Sequence, residues 1–309
     1  MKNPGRDGEE KSTPMSRKKS RSKILHSYLH DPPAIVGSVI IVVFLLAALL
    51  APWITPQNPY DLEKLTFDHF LTPPIWLEGG QMPFLLGTDD QGRGILSTIV
   101  YGCRTSLIVG FSVVMIAGTI GVLIGLFAGF YGRWLDAVTM RLADTMFSFS
   151  TTLLAILLLG VFKKTGIGTV IAAICIADWV RYARTMRGSV LEVKEEAYVL
   201  ASRATGARDL RILFRHILPN AIPPVLVVVA VDLAVVIMLE ATLSFLGVGV
   251  PITEPSLGMM IAIGKDYIYA GMWWMVVFPG AALVFLVVGI NLFADWLREE
   301  LNPKIERTG

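Results

Sequence analysis

The sequence predicts an all-α polytopic membrane protein with six transmembrane helices and both termini in the cytosol. Three observations carry this. Apolar residues make up 54% of the 309 residues, with a mean hydropathy of +0.61, whereas soluble domains hold roughly 45–50%. Six apolar runs are long enough to cross a bilayer core of about 30 Å. The net charge is only +2, but Lys and Arg gather in a few segments, and where they gather fixes an orientation.

Residues 1–32 are polar and basic, with Lys2, Arg6, Lys11, Arg17, Lys18, Lys19, Arg21 and Lys23. They hold no apolar core and read as a cytosolic tail rather than a cleaved signal. His26 and His30 stand four apart, but two ligands are too few for a zinc site, and no metal is expected. Residues 33–98 hold the first span, at 34–53, and an extramembrane segment rich in proline. Thr88-Asp89-Asp90-Gln91 fits a capping box, so a short helix is expected from Thr88. Further apolar runs follow at about 99–129, 137–161, 167–187, 221–247 and 273–297, within a core of 99–298, and 299–309 form a second cytosolic tail. Gly118, Gly121, Gly125 and Gly129 recur at the spacing that lets helices approach closely in lipid. Cys103 and Cys175 lie far apart in apolar runs, and no disulfide is suggested.

With both termini inside, most of the 27 Lys and Arg fall in the cytosol. Lys163 and Lys164 are a local exception to the positive-inside rule. The same orientation puts residues 192–220 in the cytosol, between spans four and five. This stretch is long, charged and helical in pattern. Ala197, Leu200, Ala201 and Ala204 share one helical face, Gly206 supplies a stop, and Leu210, Leu213, Phe214 and Ile217 share the face of a second short helix. Pro219 is expected to end that helix, and Pro223-Pro224 to break the chain again. Periodicity alone leaves two occupants open for this bracket, since a helix on lipid and a helix in a protein groove show the same pattern.

Motifs decide between them. Ala201-Ser202-x-x-x-Gly206, nine residues, then x-x-Leu218-Pro219 resembles the cytoplasmic "EAA" loop of binding-protein-dependent ABC importer permeases. Leu200, Ser202 and His216 depart from it. Leu86-Gly87-Thr88-Asp89-Asp90-x-Gly92-Arg93 resembles the motif entering the second span of dipeptide and oligopeptide permeases of the "C" type, with Gly94 in place of the usual Asp. Ala128-Gly129-Phe130-Tyr131-Gly132, Leu135-Asp136-x-x-x-Met140-Arg141, Leu243–Gly249, Pro255-Ser256-x-Gly258, Trp273-Trp274, Phe278-Pro279-Gly280, Asn291-Leu292 with Asp295, and Leu301–Lys304 follow in order. Ser150 stands where the family has Pro.

The resemblance implies the type I ABC importer permease fold in a bacterial inner membrane. It implies a second homologous permease subunit, two ABC ATPase subunits and a periplasmic solute-binding protein as partners, alongside the lipid bilayer. No nucleic-acid partner is expected. The region Ala197 to Ala207 would dock in the ATPase cleft, with Ala201 and Gly206 in the motif. Arg203, Arg208 and Asp209 would offer polar contacts, and Leu218-Pro219 would pass motion into span five. No GxxxxGK[ST], HExxH or GxSxG occurs. The chain is therefore expected to be non-catalytic, with ATP and magnesium on the ATPase subunits.

Asp144, Asp178, Asp232 and Glu240 fall within the apolar runs. Charge in the membrane is costly, so each is a pore or gate candidate. Asp178 precedes Arg181 by three residues and can pair with it. For Asp232 the alternative is a hydrogen bond to the partner subunit. Met259, Met260, Met272 and Met275 read as adaptable packing. The expected cargo is di- or oligopeptides. Nickel chelates, glutathione and opine-like compounds are alternatives on the same scaffold, and a secondary transporter is the alternative class. The last would call for internal inverted repeats, and none is clear.

Overall fold

The computed structural model describes residues 26–60, 69–163 and 166–301. The basic residues Lys2 to Lys23 of the expected tail, Lys164, and the chain end after Leu301 lie outside the described residues.

Asp31 opens the helix α1 (Pro32–Leu49) by accepting a hydrogen bond from Ala34 N at 3.2 Å. Pro32 and Pro33 sit in its first turn, where a missing N–H leaves nothing unpaired. A one-turn helix, α2 (Ala51–Ile54), follows. The next helix, α3 (Ile95–Tyr131), has 37 residues and is about 55 Å long. Gly132, at φ +62, ends it.

The expected single span at 137–161 is instead two helices, α4 (Arg133–Phe147) and α5 (Thr151–Phe162), bent by 92°. The break has a local cause. Ser150 takes an extended backbone with ψ 130. Thr145 Oγ1 and Ser148 Oγ bond carbonyls one turn back, at 3.0 and 2.8 Å, an alternative to continued helix.

The sixth helix, α6 (Ile167–Val193), runs past the expected end at 187 and packs along α3. Their register rises together. A Cβ built on Gly121 would land on Trp179 O, on Gly125 on Ala183 O, and on Gly129 2.9 Å from the Val190 side chain. The two helices are therefore parallel, at a distance only glycine permits. Gly118, whose added Cβ would lie 3.7 Å from Tyr182, is not under the same demand.

The bracket follows as α7 (Ala197–Ala204), α8 (Asp209–Ile212), and a π-helical turn at Leu213–Ile217 that leads into α9 (Leu218–Phe245). This corrects two expectations. Pro219 does not end a helix, and Pro223-Pro224 do not break one: Asp209–Phe245 is continuous. The π turn, in which Leu218 N bonds Leu213 O, widens the helix just before Pro219 and relieves the clash that proline brings to an α-helix. It also rotates the apolar face. Ile212, Leu213 and Ile217 are buried, whereas Leu210 and Phe214, expected on the same face, are exposed.

Two short elements, α10 (Leu257–Gly264) and a 3₁₀ turn at Lys265–Ala270, precede α11 (Trp274–Leu301). Helix α11 runs antiparallel to α1, with Gly289 under Ile40 and Gly37 under Leu292 and Phe293. Met259, Met260 and Met275 are buried, and the last two pack with Leu257 and Trp274. Among the described residues, Pro32–Leu49, Ile95–Tyr131, Asp209–Phe245 and Trp274–Leu301 are long and apolar enough to cross a membrane, and the bent pair would be a fifth span. Helix α6 is long enough, but Asp178, Arg181, Arg184 and Arg187 punctuate it from its middle onward.

Candidate functional site

The bracket is held at the end of α3 by a few contacts. Lys194 Nζ donates to Gly129 O at 3.3 Å, the Arg203 guanidinium sits 5.2 Å over the Phe130 ring, and Phe214 meets Phe127 edge-on. In α7, Val199 is fully buried and anchors the helix. The opposite face is bare: Ala197, Leu200, Ala201 and Ala204 are all exposed. Gly206 has φ +79 and nothing within 4 Å of where a Cβ would be. That left-handed step turns the chain, with Ala207 N on Ser202 O at 3.1 Å, and Arg208 and Asp209 begin α8 in solvent. Leu218 is half-buried and Pro219 exposed.

Further along, α6 and α9 meet at a charged cluster. Asp232, fully buried, accepts from Tyr182 Oη at 2.5 Å and from the Arg181 guanidinium. Asp178 Oδ1 lies 3.5 Å from the same guanidinium. The expected Asp178–Arg181 pair is present. The hydrogen bonds of Asp232 are made inside the chain, where a partner subunit had been the alternative to a pore role. Tyr182 had no sequence signal, because one tyrosine in an apolar run looks like packing.

The other two acids stand apart. Glu240, fully buried, accepts from Ser106 Oγ and Ser244 Oγ, both at 2.8 Å, and so ties α9 to α3. Asp144 is exposed on α4 and pairs with Arg184 at 2.6 Å. Asp136, not singled out as a site, holds Arg187 through a hydrogen bond of 2.7 Å.

At the far end from the bracket, Thr88 does not start a helix. This corrects the capping-box expectation, since the first helical residue is Ile95. Thr88 Oγ1 accepts from Thr72 N at 2.8 Å and donates to His69 O at 2.6 Å. Asp89 uses its carboxylate on the loop itself, accepting from Gln91 N, Arg93 N and Arg93 Nε at 2.6–2.9 Å. Gly87 and Gly92 have φ +83 and +75, and a Cβ on Gly87 would lie 2.6 Å from Thr72 O. Arg93, 2% exposed, reaches Ile252 O at 3.4 Å and so joins this loop to the one after α9. Burial, then the neighbouring Asp89 charge, pushes the Asp90 carboxyl above its usual range.

Comparison with known proteins places this architecture. Residues 121–307 match the family described as "Binding-protein-dependent transport system inner membrane component". The chain belongs to this family. Residues 22–74 match the N-terminal transmembrane domain of oligopeptide transport permease C. The chain is 40% identical over 280 residues to the di/tripeptide transport system permease protein DppC of Pseudomonas aeruginosa, covering 91% of each chain. It is 36% identical to the dipeptide transport system permease protein DppC of Haemophilus influenzae, over 89% of this chain and 91% of that one. Among solved structures, an inward-facing MetNI methionine ABC transporter aligns with a TM-score of 0.54 at 21% identity, over 66% of this chain and 96% of that chain. This last likeness is one of fold. Within the binding-protein-dependent family, the chain is an inner membrane permease component.

Proposed function

We propose that this chain is a permease subunit of an ATP-driven importer of di- and oligopeptides, and that the bare face of α7 is where the ATPase docks. The observation that carries the docking reading is the split of α7: Val199 is buried while Ala197, Leu200, Ala201 and Ala204 face outward. A helix serving only its own fold would bury its small-residue face. The peptide cargo is supported by the two relatives, which are a di/tripeptide and a dipeptide permease over nearly their whole length.

The remaining parts follow. The chain crosses the inner membrane six times. Parallel packing of α3 and α6 supports this, because the bent pair between them must return across the bilayer. The bracket end, with both termini, faces the cytosol, and the Gly87–Arg93 loop faces the periplasm. A second permease subunit completes the path, a periplasmic binding protein delivers cargo, and two ATPase subunits bind ATP and magnesium. Their closure moves the region Ala197 to Ala207, with Arg203, Arg208 and Asp209 as polar contacts. Leu218-Pro219 transmits the motion to α9, and continuity of the helix across Pro219 supports a rigid lever.

The test is reconstitution of the complete complex in vesicles. ATP-dependent uptake of labelled alanyl-alanine and trialanine is expected with the binding protein present. Uptake of another solute class with none of either peptide would contradict the cargo.

A further inference from the structure

A cavity of about 310 Å³ opens where the α4–α5 break faces α6 and α9. That volume is at the low end of the range for small-molecule sites. One wall is the hydroxyl row of Ser150, Thr151 and Thr152. The other holds Asp178 and Arg181, and Met238 is among the remaining lining residues.

This wall carries two acids and one base. Two carboxylates, Asp178 and Asp232, share one guanidinium. Asp232 takes the closer approach and the Tyr182 hydroxyl as well. Asp178 is only 4% exposed, and its Oδ2 has no hydrogen-bond partner among the described residues. A buried polar atom left unpaired is destabilising, and more so if it is charged. No other charged side chain lines the cavity. The unpaired oxygen, in a cavity with an opening, leaves room for a cation, and the hydroxyls of Ser150, Thr151 and Thr152 can accept from a donor with more than one proton to give. A primary ammonium, with three N–H donors, meets both walls at once. A carboxylate would meet a guanidinium already claimed by Asp232.

We infer that this cavity is a transit site for the α-ammonium group of a peptide, with Asp178 Oδ2 as its acceptor and Ser150, Thr151 and Thr152 as accessory acceptors. The inference rests on the peptide-importer reading and adds the place where this chain itself touches the cargo.

The test uses the complete complex in vesicles with alanyl-alanine, whose only ammonium is the α-amino group, and reads peptides carried per ATP hydrolysed. Asp178→Asn is expected to lower that ratio by about tenfold, which corresponds to ~1.4 kcal/mol, and Asp178→Glu to recover most of it. A purely structural role would lower uptake and hydrolysis together and leave the ratio unchanged. That outcome, or a wild-type ratio in Asp178→Asn, overturns the inference. Met238→Trp changes a half-exposed residue outside the ion cluster and narrows the cavity while keeping Asp178 in the sequence. It is expected to lower the ratio even where Asp178→Asn fails to assemble, and a wild-type ratio there also overturns the inference. A wild-type complex that hydrolyses ATP but carries no alanyl-alanine contradicts the proposed cargo instead, and is seen before any variant is made.

Discussion

Two faces of this chain are built from small residues, and only one of them is covered. Along α3, Gly121, Gly125 and Gly129 meet α6 at a distance that admits no side chain. On α7, Ala197, Ala201 and Ala204 are exposed. Both are helical stripes of small residues. The first is spent on the fold, since lipid gives helices no hydrophobic reason to associate and close backbone contact must supply the attraction. The second is left exposed after folding, and it is the face on which the proposed docking would close. A small-residue stripe therefore means different things according to whether its own chain closes on it.

This contrast can be broken at its covered side first. Gly125→Leu places a side chain where Ala183 O already sits. Overpacking of this kind costs roughly 1–3 kcal/mol or more, so loss of the folded subunit in detergent gel filtration is expected. Gly118→Ala, with 3.7 Å of room, should behave as wild type in the same assay. Equal behaviour of the two would remove the close-packing argument.

The uncovered side should respond differently. Gly206 has open space around it but a left-handed backbone. Gly206→Pro therefore strains only the bracket, because proline cannot take a positive φ. The subunit should assemble, while ATP hydrolysis and peptide uptake separate. Normal coupled uptake in this variant would show that the bracket transmits nothing.

The smallest effect lies at the opposite end of the molecule. Burial raises the Asp90 carboxyl above its usual range, so the folded protein disfavours its charged form. A raised acid pKa contributes stability at low pH that is lost as pH rises through the folded value. Asp90→Asn should then raise the melting temperature slightly at pH 7.5 and lose that advantage toward pH 4. An advantage that is constant with pH would assign the effect to something other than charge.

Much of this was legible in sequence. The glycine spacing, the Gly206 stop, the Asp178–Arg181 pair and the ordered motifs are local patterns, and local patterns survive without coordinates. What was missed depended on geometry over longer range. The capping box at Thr88 is satisfied by a fold of the loop back to residues 69 and 72, which no window of four residues reveals. In sequence Pro219 looks like a stop, because the π turn that accommodates it has no composition of its own. The bend at Ser150 has no sequence signal, because the run is apolar on both sides. The partners of Asp232 lie 50 and 51 positions away on α6, so a helix crossing, not a motif, brings them together.

The central claim is that the exposed face of α7 is covered by the ATPase. Ala201→Cys tests it directly, since Ala201 is exposed and both native cysteines are buried. Maleimide labelling of this variant should be rapid in the permease pair alone and strongly protected once the ATPase subunits are bound. Equal labelling with and without them would contradict the account.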